Sequence, residues 1–412
     1  MIIQMIIPLL LLPLMVKNLG NELYGLWILF TTIIAYLGIS GFGFGTTFIK
    51  EVSKSDNTHI LNTYFNTTLM FYLLISLILI PINIYIYVNL ENLFLIDQIY
   101  VLEAKRVYVL FVLTFYVNFL SSLLGSLLFA KNLLYLQNYL SIIISISSFV
   151  SMYVALYFGY SIITLGLINL FFSLCSMLLL YLIVKRKVTF ELSWKHFDMH
   201  TLKQMFHPSI HYFFITASAM IILYSDNIII SSFIGLSSLT LFYIAYKVVS
   251  IPQNLLFKIV DVAIPDISKM YEKKQYKQII KLHNKMLVIS LIMGIFGFGF
   301  LHVYGLDLIG WWVGEERIIN TNVFHVFIYF AIIHAGVHVS AVFLVAMGEH
   351  TKTSYMTMVD ASLNIIISIV LLQYYGLLGI ALGTLIAHLC TSAWFTTWWF
   401  YKIINSKINV LS

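Results

Sequence analysis

Asp226 and Lys247 are the residues whose types and spacing most directly suggest chemistry. They lie in the stretch Ser209 to Ile267, SIHYFFITASAMIILYSDNIIISSFIGLSSLTLFYIAYKVVSIPQNLLFKIVDVAIPDI. Asp226 precedes Gly235 by 9 residues and Lys247 follows it by 12, so a chain folded back near Leu236 brings the two charges to one depth. Both are set in otherwise apolar runs, where an isolated charge costs several kcal/mol and is a functional candidate with a nameable partner. Two readings stay open. Either the pair is a permanent ion pair that lets both groups tolerate burial, or Lys247 leaves Asp226 to bind a phosphate or an acidic sugar. In the second case the differential contact favours one conformation over another.

Further along the same run, Lys258 and Asp261 are three apart and share a helical face. They either extend to the interface as long polar side chains do or form the entrance to a substrate path. Pro252, between the two charged positions, removes a backbone hydrogen bond and is expected to kink the helix, a hinge candidate. A second group comprises His334 and His338, four apart, with His388 and Asp360 on the last two runs. Histidine titrates near neutral pH, so such a set suits proton coupling. Structural hydrogen bonding is the plainer reading, and a metal site is weaker still for want of a convincing third ligand.

The elements that must position these residues are legible in composition. Of the 412 residues, 61% are hydrophobic and 10% charged, against about 25% charged in soluble domains. The chain is therefore expected to be an all-α, polytopic membrane bundle. Twelve apolar runs fall at about 2–16, 24–47, 62–88, 107–130, 134–158, 162–184, 209–234, 238–263, 286–309, 322–347, 353–374 and 378–402. Most reach the roughly 20 residues that span a bilayer as a helix, and none shows the alternation of a barrel strand. No removable signal peptide is expected, since no basic region precedes the first run. That run is short for a span, so the natural start is expected to lie further upstream.

Basic residues are retained on the cytoplasmic side of a membrane. Loops after even-numbered runs, with the C-terminal end, hold 17 Lys and Arg; loops after odd-numbered runs hold Lys17, Lys105, Arg106 and Arg317. The bias places both termini in the cytoplasm, with Trp311 and Trp312 at the outer interface and Trp398 and Trp399 at the inner one. Cys175 and Cys390 fall in apolar runs and imply no disulfide framework.

Three paired anchors recur at nearly one offset. Leu19-Gly20 matches Ile234-Gly235 at 215, Ala130 matches Ala346 at 216, and Gly159 with Gly166 match Gly376 with Gly383 at 217. They favour a duplicated six-helix unit: a lobe at 1–184, a basic linker at 185–208 and a second lobe at 209–412. An even number of spans per repeat relates the lobes by a pseudo-twofold along the membrane normal and leaves a cleft between them. At the 215 offset Asp226 corresponds to Leu11 and Lys247 to Thr32, so the charged site belongs to the second lobe alone. The basic segments 185–207 and 269–285 fix topology first and attract anionic head groups second. There is no GxxxxGK[ST] loop and no HExxH pair. Gly41-Phe42-Gly43-Phe44-Gly45 follows a membrane helix, not a strand, so it reads as a helix end or a close helix approach. The 27 Tyr and 32 Phe are bundle filling or a path on which sugars stack.

Several short motifs carry a resemblance. Leu19-Gly20 with Tyr24-Gly25, Gly41, Asp226 followed by NIIISSFIG, Tyr243, Ala245-Tyr246 and Ala263-Ile264-Pro265 before a basic segment are similar to those of the Wzx-type oligosaccharide flippases. These belong to the polysaccharide translocase group, in the superfamily that includes multidrug extruders and lipid II flippases. The resemblance covers nearly the whole chain. It implies two six-helix lobes that alternate between inward-open and outward-open forms in the inner membrane. It implies an undecaprenyl-pyrophosphate-linked oligosaccharide as cargo, for O-antigen or other surface polysaccharide, and coupling to a proton or sodium gradient. Membrane lipids, a polysaccharide polymerase and chain-length proteins are the implied partners, with no nucleic acid and no cofactor. Asp226 matches a commonly acidic family position; Lys247, Lys258 and the histidines do not carry over in the same way. A cation-coupled small-molecule exporter of the same fold is the alternative. A membrane polymerase or glycosyltransferase, which would need a large outside loop or an acidic pair beyond Glu315-Glu316, is third.

Overall fold

The computed structural model describes residues 2–54, 57–349 and 351–409, with side chains at all of these except 2–5, 211, 212 and 215. Helices dominate, and no strand occurs among the described residues. Among the described residues eleven helical stretches are long and apolar enough to cross a membrane, and the first of them, α1, Ile2–Gly38, is two helices joined across a kink at Gly20, in keeping with the twelve expected runs. The expected loop around 17–23 is shorter than foreseen, since only Gly20 leaves helical geometry, at φ 79° and ψ 174°. Glycine has no Cβ to clash there, so a single residue turns the chain where a loop was foreseen.

The run expected at 24–47 also ends early. After α1 a tight turn at Ile39–Gly41 leads into α2, Phe44–Val52, with Phe42 and Gly43 at positive φ. The glycine-rich stretch is thus a helix end, and a Cβ at Gly45 would sit 3.2 Å from Ser126 and Tyr72, so close approach operates as well. Periodicity of apolar residues cannot register such a break, because Phe42 and Phe44 keep the run apolar across it.

The chain divides into two compact units, one of Met1–Met220 with Ser231–Ser237, the other of Ile221–Ile230 with Ser238–Ser412. The first contains α3 (Thr58–Val88), α4 (Leu90–Leu93), α5 (Val101–Ala130), α6 (Leu134–Tyr157) and α7 (Ile162–Lys187), and most of α8 (Met199–Phe233). Its interior is aromatic: Phe30 packs on Tyr108 and Phe111, and Phe44 stacks on Phe71 at 3.8 Å. Leu77, Ile78, Ile84 and Val88 are exposed on α3, an apolar surface too extensive for water and suited to lipid.

The basic stretch after α7 is pinned down. Asn62, Asn66 and Thr67 form one polar face at the start of α3. Asn62 accepts from the Glu191 N–H at 3.0 Å, and Asn66 accepts from Ser193 N–H and donates to the Glu191 carbonyl. Thr67 Oγ1 accepts from Asp198 N–H at 3.1 Å. Asp198 then caps α8, accepting from the backbone N–H and hydroxyl of Thr201. These two bonds hold its carboxyl below the usual carboxylate range. A depressed folded-state value contributes stability that is complete above the ordinary 3.8 and is lost as pH falls below it. Protection of the amides at residues 199–202, taken relative to their intrinsic exchange rates, should therefore fall on acidification through that window, and Asp198→Asn should remove that fall.

The second unit contains α9 (Leu236–Asp261) from Ser238 onward, α10 (Ile264–Glu272), α11 (Tyr276–Val313), α12 (Thr321–Ala346), α13 (Thr351–Tyr375), α14 (Leu377–Cys390) and α15 (Ser392–Asn409). Ile267, Ile279, Val339, Phe343, Phe400 and Ile404 form its main buried cluster. Buried His283 stacks on Phe400 at 4.0 Å and hydrogen-bonds Ser340, which in turn meets Thr397. The α13–α14 hairpin turns at Gly376, φ 56°. Beyond it Gly379 and Gly383 bring α14 against Leu371 and Ser368 so closely that a Cβ at either would overlap the other helix, the close approach that small-xxx-small spacing permits.

Candidate functional site

A cavity of about 310 Å³ lies within the second unit, lined by α8, α9, α12 and α14. Asp226 and Lys247 both line it, with Tyr246, Gln253, Asn254 and His334. Among the described residues, however, no ion pair joins Asp226 to Lys247. Asp226 Oδ2 instead accepts from the Thr384 hydroxyl at 2.9 Å, while Oδ1 is buried without a hydrogen-bond partner. The permanent ion pair is therefore not the arrangement adopted. Lys247 is half-buried and presents its ammonium to a cavity shared with, but not neutralised by, the carboxylate.

Behind Thr384 the polar side chains continue. Thr384 lies 3.5 Å from Asn364 Oδ1, which accepts from Ser368 at 3.1 Å. One helical turn from Asn364, Asp360 Oδ2 meets His388 Nδ1 at 2.9 Å; Asp360 is 3% and His388 5% exposed. The His388 ring stands edge-on to His334 at 5.2 Å, and the Gln253 amide donates to His334 Nδ1 at 3.1 Å. Asp226, Asp360, His334 and His388 thus belong to one polar region at and behind the cavity wall.

His338 belongs elsewhere. Its Nε2–H donates to Asp261 Oδ1 at 3.1 Å, and Lys258 donates to Asp261 Oδ2 at 2.9 Å. Phe257 stacks on His338 at 3.8 Å. Asp261 therefore bridges one residue from each sequence group, and both sit away from the cavity lining. Lys258 is exposed, so this pair contributes little stability. Pro252 lies inside α9 between the two clusters, and an added Cβ on Gly297 of α11 would come 3.6 Å from its ring.

Thr384, Asn364, Gln253 and Asn254 were not foreseen. Their signal was present: Asp360, Asn364 and Ser368 recur every four residues on α13, and Thr384 precedes His388 by four on α14, each a single-face stripe. Attention to charge alone passes over such neutral stripes. No group of three or more His, Cys, Asp or Glu among the described residues is arranged to hold a metal ion.

Residues 1–271 match the family described as polysaccharide biosynthesis protein. The chain belongs to that family. No curated protein sequence matches it. Among solved structures this polysaccharide biosynthesis protein is similar to an inward-facing multidrug resistance MATE family transporter of the MOP superfamily, with TM-score 0.83 and 12% identity over 98% of this chain and 96% of that one. It is also similar to the lipid II flippase MurJ in an inward closed conformation, with TM-score 0.77 and 19% identity over 99% and 89%. An outward-facing MATE family transporter aligns with TM-score 0.65 and 12% identity over 99% and 93%. The fold of this family member is the transporter and flippase fold of these proteins, and it is a multi-pass membrane protein.

Proposed function

We propose that this polysaccharide biosynthesis protein is a Wzx-type flippase of the inner membrane. It carries an undecaprenyl-pyrophosphate-linked oligosaccharide from the cytoplasmic to the periplasmic leaflet by alternating access, with both termini cytoplasmic. The observation that carries this reading is Lys247, a lysine lining a membrane-embedded cavity with no carboxylate of the described residues paired to it. A lipid carrier can stay in the bilayer while its head group enters such a cavity, and an anionic pyrophosphate is the group that an available lysine favours. Family membership and the likeness to MurJ support a lipid-linked cargo. Lys258 and Asp261 serve the path to the cavity, and Pro252 acts as the hinge between the two clusters. A polymerase and chain-length proteins would take up the product.

Reconstitution tests this directly. Vesicles containing the protein and the lipid-linked oligosaccharide on one leaflet should expose the glycan to a membrane-impermeant glycosidase on the other side. No exposure above protein-free vesicles would sink the proposal. A second reading, export of an organic cation, is favoured by Asp226 among Phe242, Tyr246, Phe257 and Phe330 in the same cavity. Uptake of a cationic dye into the same vesicles separates the two.

Asp360, His334, His338 and His388 serve proton or sodium coupling in this reading. A triple substitution of His334, His338 and Asp360 should shift the pH profile of transport, whereas an unchanged profile rejects their role.

A further inference from the structure

The first unit holds a cavity of its own, about 330 Å³, bounded by α1, α5, α6 and α7. Among the described residues no ionisable side chain lines it. Six neutral polar side chains do: Asn118 from α5, Ser145 and Ser148 from α6, and Asn169, Ser173 and Ser176 from α7. None of them is hydrogen-bonded to another described residue. That is unusual for the unit, where Thr114, Ser122 and Ser151 each turn back onto a carbonyl of their own helix. Polar groups at membrane depth that decline this easy partner are costly unless something else engages them. Phe149 and Phe172 complete the lining, with Ile7, Pro8 and Leu11 as an apolar wall.

We propose that this cavity binds a neutral sugar ring. An anion finds no cation here and an organic cation no carboxylate. An acyl chain would leave six polar groups unpaired. A pyranose matches on each count, because its hydroxyls both donate and accept, as serine hydroxyls and asparagine amides do, and its C–H face packs on aromatic rings. The volume lies near the lower end of the roughly 300–1,000 Å³ of small-ligand pockets, which suits one ring and not a long glycan. This deepens the flippase reading and rests on it: the pyrophosphate is held by the charged cavity of the second unit, a sugar by the uncharged one of the first.

The test uses the full chain in lipid nanodiscs. Saturation-transfer NMR measures binding of methyl glycosides of glucose, galactose, mannose and N-acetylglucosamine, and calorimetry measures inorganic pyrophosphate. Asn118→Leu with Asn169→Leu should weaken glycoside binding by on the order of tenfold. Pyrophosphate binding should be unchanged and the melting temperature not lowered, since the polar groups removed have no hydrogen-bond partner among the described residues to lose. Ser145→Ala with Ser148→Ala, which removes hydroxyls and almost no bulk, should act in the same direction. Lys247→Ala should do the reverse, losing pyrophosphate and keeping the glycoside. If none of the four glycosides binds, or if binding survives both double substitutions, the sugar site is refuted. If pyrophosphate alone fails to bind the unsubstituted protein, the flippase reading is what falls, while a cavity-dependent glycoside signal still upholds the sugar site.

Discussion

Lys247→Ala should abolish surface polysaccharide in a strain lacking its own flippase, while the amount of protein in the membrane stays normal. The substitution shortens a side chain that makes no ion pair with any described residue, so little structure is lost with it. What is lost is a charge-assisted contact to phosphate, worth roughly 1.5–3 kcal/mol, and on the order of 10 to 100-fold in transport. Lys247→Arg should recover part of the loss, because the charge remains but the flat guanidinium fork replaces a compact ammonium. Asp226→Asn should behave differently. It keeps the shape that accepts from Thr384 and removes the negative charge that shares the cavity with the lysine and repels an anion, so pyrophosphate should bind more tightly while turnover slows. Normal glycan at normal protein level in the alanine variant would remove Lys247 from the mechanism.

Gly379→Val should be the most damaging single change to the fold. Its new Cβ would overlap the Leu371 carbonyl, and the hairpin of α13 and α14 offers no flexible side chain to give way. Without water to drive helices together, membrane association rests on close packing and interhelical hydrogen bonds. Separating the pair would break the Ser368 contact with the Ile380 carbonyl and carry Thr384 away from Asp226. A loss on the order of 3–5 kcal/mol is expected, the range of strained or overpacked cores, read as a large fall in melting temperature and in folded yield. Gly336→Ala is the control: its nearest neighbour is Leu287 at 3.8 Å, an ordinary contact, so stability should barely change. If Gly379→Val melts like the unsubstituted protein, the close approach is not what holds the hairpin.

The helices were legible because a bilayer demands about 20 apolar residues per crossing, and nine of the twelve runs, the third to the eleventh, are separate long helices, while the last is divided at Thr391 into α14 and α15. The break between the first two fell at Gly20 as the sequence placed it, though one residue stands there for a loop, and the second run was carried too far because Phe42 and Phe44 hide a turn inside it. Asp226, Lys247 and His334 stood out as charges or histidines against hydrocarbon, and the fold gathers them on one cavity. The partner each would take was not legible. Counting residues from Gly235 brings Asp226 level with Lys247, but depth says nothing about which way around the helix a side chain points, and Thr384, more than 150 positions away, is what Asp226 meets. The pairing of Asp360 with His388 is likewise a product of the Gly379 packing, which no run length reveals. The neutral cavity of the first unit was invisible for a related reason, since scattered serines and asparagines in membrane helices ordinarily bond to their own backbone.

The buried pair of Asp360 and His388 also has a bearing on how this chain can change over generations. Losing either partner strands the other in hydrocarbon, at a cost of about 3–5 kcal/mol, whereas exchanging both for apolar residues of similar volume is close to neutral. Single steps to an apolar residue at either position are therefore closed. The polar first step that keeps a hydrogen bond, His388 to Asn or Gln, is the one open route between the pair and its apolar replacement. Relatives that have taken it should retain a carboxylate at 360, and those with an apolar residue at 360 should carry no imidazole at 388.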